Sequence, residues 1–186
     1  IGNYLFGEIR QPLFSSFSLT AGLRWQQQHP GFVFEQFTSS YADYQWKNTP
    51  EMEQRTAIFV QLSHPDFGKL SLTTTNINNY AYFLQPDAAS LAVTPMQLTT
   101  GVNLLQLDLE TGVKLGVFNM DMKLRGQQLS DNKELMPMPN FIGRTALYYE
   151  DHWFENALFL NLGVSARYFS SYKMRAYHPL LSAFVV

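Results

Sequence analysis

The stretch ALFLNLGVSARY, Ala157–Tyr168, sets Leu158, Leu160, Leu162, Val164, Ala166 and Tyr168 at every second position, with Asn161, Ser165 and Arg167 between them. A period of two puts alternate side chains on opposite sides of an extended chain, so this is a strand with one apolar and one polar face. The rhythm recurs where Phe17, Leu19, Ala21, Leu23 and Trp25 alternate with Ser16, Ser18, Thr20, Arg24 and Gln26. It recurs again where Phe118, Met120, Met122 and Leu124 alternate with Asn119, Asp121, Lys123 and Arg125. Each run has the roughly 9 to 11 residues that a tilted strand needs to cross a bilayer. The expected fold is all-β, an antiparallel up-and-down transmembrane β-barrel, with this chain supplying about nine strands of a larger barrel.

Composition agrees. A mean hydropathy of -0.16 and the lack of any long uncharged apolar run exclude helical spans, whereas a barrel stays this polar because half of each strand avoids lipid. Aromatic residues make up 15% of the chain, as expected where Tyr and Trp mark two bilayer interfaces. The net charge of -2 comes with no basic cluster, which argues against nucleic acid as a partner. The chain has no cysteine, a weak sign of a periplasmic or surface setting. It starts at Ile1 with no export signal and stops within the apolar run LLSAFVV, so residues 1–186 read as part of one barrel domain with both ends cut.

Candidate strands run over Asn3–Arg10, Ser16–Gln26, Met52–Ser63, Lys69–Tyr80, Gln97–Glu110, Val113–Arg125, Phe141–Tyr149, Ala157–Tyr168 and a final Leu180–Val186. Connections at Gln11–Ser15, His64–Gly68, Thr111–Gly112 and Glu150–Asn156 are short. They alternate strictly with long ones at Gln27–Glu51, Ala81–Met96, Gly126–Asn140 and Phe169–Pro179, as in a meander that crosses a membrane repeatedly. His64-Pro65-Asp66-Phe67-Gly68 carries the residues of a tight reversal, and Thr111-Gly112 is a candidate two-residue hairpin. The apolar parity slips between Leu98, Val102, Leu104 and Leu105, Leu107, Leu109, a shift that a β-bulge near Leu104 repairs. The first strand is the weakest, because Tyr4, Phe6 and Leu5, Ile9 occupy both faces. A soluble sandwich also alternates, but its strands usually run to only about 5 or 6 residues.

The C-terminal third carries an ordered series: Pro137 and Pro139, then Leu147-Tyr148-Tyr149, Trp153-Phe154, Arg167-Tyr168-Phe169, and Ala176-Tyr177 with Pro179. Upstream stand Tyr44-Gln45-Trp46-Lys47-Asn48 and Asn76-Ile77-Asn78-Asn79-Tyr80. In this order the segments resemble the Bacteroidetes-type Putative porin family over most of the chain from about Tyr44 onward. The resemblance implies an outer-membrane barrel and a longer parent protein. It implies no substrate and no catalytic residue.

The search for reactive chemistry is negative, and the protein is expected not to be an enzyme and to use no cofactor. His29, His64, His152 and His178 all fall in connections without metal-ligand spacing, and none lies on a strand beside the inward Ser165. Asp131 and Glu134 read as solvated loop charges rather than divalent-ion ligands. The inward polar set is Arg24, Gln26, Asn119, Asp121, Lys123, Arg125, Asn161 and Arg167, with two readings open: they set a field across a water-filled pore, or they form a bonded network that braces a narrow interior. Trp25, Tyr149, Trp153 and Tyr168 are the candidate interface aromatics.

The expected partner is outer-membrane lipid. Two functions follow: a passive channel for small polar solutes, or a non-conducting structural or docking barrel in a larger outer-membrane assembly. The aromatic-rich Gln27–Glu51 connection, with Phe32, Phe34, Phe37, Tyr41, Tyr44 and Trp46, either extends its neighbouring strands or folds inward as a constriction.

Overall fold

Eight long strands follow the alternating segments. In the computed structural model, which describes residues 2–14, 16–40, 44–86 and 92–186, they are β1 (Gly2–Pro12), β2 (Ser18–Gln28), β5 (Glu53–His64), β6 (Gly68–Asn78), β9 (Val102–Leu115), β10 (Phe118–Leu129), β11 (Phe141–Trp153) and β12 (Leu158–Phe169). Between and after them lie α1 (Phe32–Glu35), β3 (Gln36–Phe37), β4 (Trp46–Lys47), β7 (Ala81–Leu84), β8 (Thr94–Gln97), β13 (Ala176–His178) and β14 (Ala183–Val185). The eight long strands form one antiparallel sheet in the order β1-β2-β5-β6-β9-β10-β11-β12, so every long strand lies beside its nearest long neighbours in sequence. At one end of the strands, short reversals join β1 to β2, β5 to β6, β9 to β10 and β11 to β12; the long connections leave from the opposite end.

Local chemistry explains the reversals. The third turn is Gly116-Val117, not Thr111-Gly112: β9 continues through both of those residues, which pair with Met122 and Asp121. Gly116 has φ +62 at the first of two loop positions, where L side chains are strained and a II′ hairpin calls for glycine. Gly68, at φ +89, presses against the Glu110 carbonyl, leaving no room for a Cβ. At the first turn the Leu13 amide donates to the Phe17 carbonyl at 2.7 Å. At the second, the Asp66 amide donates to His64 Nδ1 at 3.1 Å.

Three further expectations are corrected. Gln97–Glu110 divides, Gln97 ending β8 while β9 starts at Val102. No bulge interrupts β9, whose register is continuous with β6 from Val102 to Glu110 and with β10 from Leu104 to Leu115; the parity slip arises because Val102 and Leu104 are apolar residues on the otherwise polar face. The ninth candidate strand does not join the large sheet. Its Ala183–Val185 core is β14, which pairs antiparallel with β13 and parallel with β7 in a four-stranded sheet ordered β13-β14-β7-β8.

That small sheet anchors the protein's compact core, at the long-connection end. Tyr44, Phe83, Val93, Leu181 and Val185 are buried there, with Val33, Phe34, Phe37 and Trp46 packed against them. Phe34 stacks on Phe83 at 4.2 Å, and Tyr44 Oη and buried His178 Nε2 lie 2.9 Å apart. The described part of the Gln27–Glu51 connection therefore does not continue β2 and β5 as a ribbon; it packs on segments from the second long connection and on residues 178–185, after β12. Tyr41 is outside the described residues.

Candidate functional site: a two-faced sheet

The register decides which side chains share a face, because directly paired residues point the same way. Starting at Arg24, the pairs run through Phe6 on β1 and through Ala57, Thr75, Leu104 and Leu129 on β5, β6, β9 and β10. A second row runs from Ser18 through Ser63, Lys69, Glu110, Lys123 and Arg144 to Arg167. Gln26 shares the first row's face. Asn119 pairs with Tyr148, Asp121 with Ala146, Arg125 with Asp108 and Ile142, and Asn161 with Glu150. The eight residues singled out as an inward polar set thus lie on one face of the sheet.

The other face is apolar along its length. It carries Leu19, Leu23 and Trp25 of β2, Ile58, Val60 and Leu62 of β5, Leu105, Leu107 and Leu109 of β9, and Leu158, Leu162 and Val164 of β12. Leu72, Leu107, Leu162 and Val164 are 49%, 49%, 61% and 74% exposed. The accessible surface is 12667 Å², against about 9,100 Å² for a compact soluble chain of 21.4 kDa. A continuous exposed apolar band of this size marks a surface that meets another apolar phase. A sandwich would cover it with a second sheet, and the described residues supply none.

Trp25, Tyr149, Trp153 and Tyr168 all stand on the apolar face, at two levels. Trp25, and Tyr168 with its ring 5.9 Å from Phe141, lie toward the long connections. Tyr149, 5.6 Å from Phe118, and Trp153 lie toward the short turns. The Trp153 indole donates to Tyr149 Oη at 3.1 Å, and Tyr149 donates to Asp151 at 2.7 Å, so their polar tips are partnered at the rim. Trp153 pairs with Leu158, ten residues before Tyr168. At about 3.3 Å per residue that is roughly 33 Å along the strand, or about 25 Å along the membrane normal for a tilt near 40°, the height of an outer-membrane apolar band.

The polar face has two zones. Toward the long connections Ile77, Val102 and Leu129 are buried, and Glu53, 6% exposed, accepts the Ala81 amide at 2.8 Å. Toward the short turns the face opens and the charges gather. Arg125 Nε lies 2.6 Å from Asp108, Lys123 Nζ 2.6 Å from Glu110, and Lys114 Nζ 3.8 Å from Glu150. Asn119 and Asn161 both donate to Glu150, at 3.0 and 3.4 Å. Arg24, in the row of Leu129 toward the long connections, lies over the Phe6 ring at 5.9 Å.

Sequence reasoning missed Lys69, Asp108, Glu110, Arg144 and Glu150. Their alternation was the available signal: Lys69 sits two before Ser71, and Asp108 and Glu110 stand between Leu107, Leu109 and Thr111. Three of the four histidines are also corrected: His64 ends β5, His178 ends β13, and His152 lies within β11 on the polar face, its ring 4.9 Å from Phe159. Among the described residues no three His, Asp or Glu side chains converge as a metal site, and no helix is long and apolar enough to cross a membrane.

No curated protein and no solved structure shows significant similarity to the chain. A family model does: the one described as "Putative porin" matches residues 1–186. With a two-faced meander of membrane-spanning length and a match over its whole extent, the chain belongs to the Putative porin family.

Proposed function

We propose that the protein is an outer-membrane channel that passes small polar solutes by passive diffusion, with the apolar face against lipid and the polar face lining a water-filled lumen. The observation that carries this reading is the segregation of charge. Arg24, Asp121, Lys123, Arg125, Arg144 and Arg167 share one face, while the other presents Leu, Ile, Val and Met between two aromatic levels. Charged side chains on a membrane strand are tolerated on the lumen side and penalised on the lipid side. Trp25, Tyr149, Trp153 and Tyr168 then anchor the interfaces, and the long connections face the cell exterior.

β1 and β12 are the edges of the described sheet, 11 and 12 residues long. Unpaired backbone groups at membrane depth cost several kcal/mol each, so both edges need strand partners for the sheet to close. The chemistry assigned to the polar face is solvation and electrostatic bias, and none of its residues is given a catalytic role.

The loop core favours a restricted rather than wide-open mouth. At that same end the polar-face residues Ile77, Val102 and Leu129 are buried, whereas Lys123 and Glu110, nearer the short turns, are exposed. Liposome swelling tests the reading. Vesicles carrying the full-length protein should swell in small sugars or amino acids at rates that fall with solute size. Swelling no faster than in protein-free vesicles, with the protein shown folded, would favour the docking-subunit alternative.

A further inference from the structure

On the polar face, one transverse row brings together Lys69, Glu110, Lys123, Arg144 and Arg167, on five consecutive strands of the sheet. Lys123 is tied to Glu110 at 2.6 Å. Among the described residues no carboxylate comes within ion-pair distance of Lys69, Arg144 or Arg167. Arg144 and Arg167 are direct cross-strand partners, a like-charge pairing that disfavours the sheet unless something between them supplies negative charge. A cavity of about 440 Å³ opens beside the row, lined by Lys69, Glu110, Asp121, Lys123 and Arg144.

We infer that Arg144 and Arg167, with Lys123 and Lys69 beside them, form a binding station for a small free oxyanion, a phosphate or carboxylate, on the wall of the channel. This rests on the polar face lining a lumen. Two guanidinium groups rooted about 5 Å apart present two planar donor forks, and such forks match the oxygens of phosphate and carboxylate in a way that a lysine point charge does not. Asp121, one rung nearer the short turns and lining the same cavity, opposes the anion and keeps its residence short, as a conducting site requires. The station makes the pore favour anions and makes phosphate compete with chloride for passage.

The test is made on the full-length protein in planar bilayers. With a KCl gradient the reversal potential should show anion preference, and inorganic phosphate added at fixed chloride should reduce the current. In the double variant Arg144→Gln, Arg167→Gln the half-blocking phosphate concentration should rise at least tenfold, in Asp121→Asn it should fall, and in Lys47→Gln, on β4 outside the large sheet, it should stay unchanged. Arg144→Lys serves if the double variant fails to fold, and should weaken phosphate block more than it changes the reversal potential. Acetate should block through the same residues. A conducting wild type with cation preference, or with a phosphate response equal in all variants, overturns the station and leaves the channel standing. If a folded protein passes no current, the channel reading fails. The station is then judged in detergent, where broadening of the inorganic phosphate ³¹P resonance by wild type and not by the double variant upholds it, and no broadening overturns it.

Discussion

Placing an arginine at Leu162 should destabilise the protein in a bilayer by about 2–4 kcal/mol, while the same residue at neighbouring Asn161 should cost less than about 1 kcal/mol. Leu162 is 61% exposed on the apolar face, four residues from Leu158, which pairs with Trp153, and six from Tyr168, so it sits near the bilayer midplane. A guanidinium there has no protein partner and must be solvated by lipid or reached by thinning the membrane. Asn161 is about 3.3 Å away along the same strand, so depth is nearly constant and only the face changes. It already donates to Glu150 at 3.4 Å, and an arginine in its place meets that carboxylate. At 1.36 kcal/mol per tenfold, the Leu162→Arg penalty is roughly a 30- to 1,000-fold loss in the folding equilibrium. The assay is reversible unfolding from lipid vesicles by guanidinium chloride, read by tryptophan fluorescence and extrapolated to zero denaturant. Equal penalties would refute the claim that one face meets lipid, and a larger penalty at Asn161 would invert the assignment.

Other expectations follow from local geometry. Gly116→Ala should cost about 1–2 kcal/mol from the positive φ alone, since a Cβ there meets nothing within 4 Å; Gly68→Ala should cost more, because a Cβ there also strikes the Glu110 carbonyl, and paired unfolding curves rank the two. A double-mutant cycle of Asp108→Asn with Arg125→Gln should give a coupling of about 0.2–1 kcal/mol despite the 2.6 Å contact, because the side chains are 32% and 47% exposed; a coupling above about 2 kcal/mol would mean a dry interior. Tyr44→Phe removes the hydroxyl beside buried His178, and at about 1 kcal/mol it should speed amide exchange roughly fivefold in 176–185 without changing β9 or β10. Unchanged exchange in that segment would show that the contact does not hold the loop core together.

Much of the large sheet was legible because its cause is local. In β2 and β10, and in β12 from Leu160 to Ala166, each apolar residue is followed by a polar or small one, and that period of two already separates Arg24, Asn119, Lys123 and Asn161 from Leu23, Met120, Leu124 and Leu162. Where both faces carry apolar groups, the pattern loses its information. Ile142, Ala146 and Tyr148 share the polar face with Arg144, and this hid Arg144 until the register with Lys123 and Arg167 placed it. Sequence places the hairpin five residues early because Thr111-Gly112 offers a glycine and Leu115-Gly116-Val117-Phe118 looks like continuing strand; the positive φ at Gly116 is visible only in the fold. The loop core was beyond reach for a different reason. Val185 pairs with Phe83 and Tyr44 meets His178, the latter across 134 residues, separations that no window along the chain contains. An apolar tail such as Leu180–Val186 reads as a membrane strand unless its distant partners are known.

The chain contains no cysteine, which makes single-residue accessibility in the conducting state the most direct test of the central claim. Asn161→Cys and Leu162→Cys in the full-length protein should give channels of equal conductance in planar bilayers. A bulky water-soluble methanethiosulfonate should then lower the current stepwise and irreversibly at Asn161→Cys and leave Leu162→Cys unchanged. Channels insensitive to the reagent at Asn161→Cys, or blocked at Leu162→Cys instead, would contradict a polar face that lines a water-filled pathway.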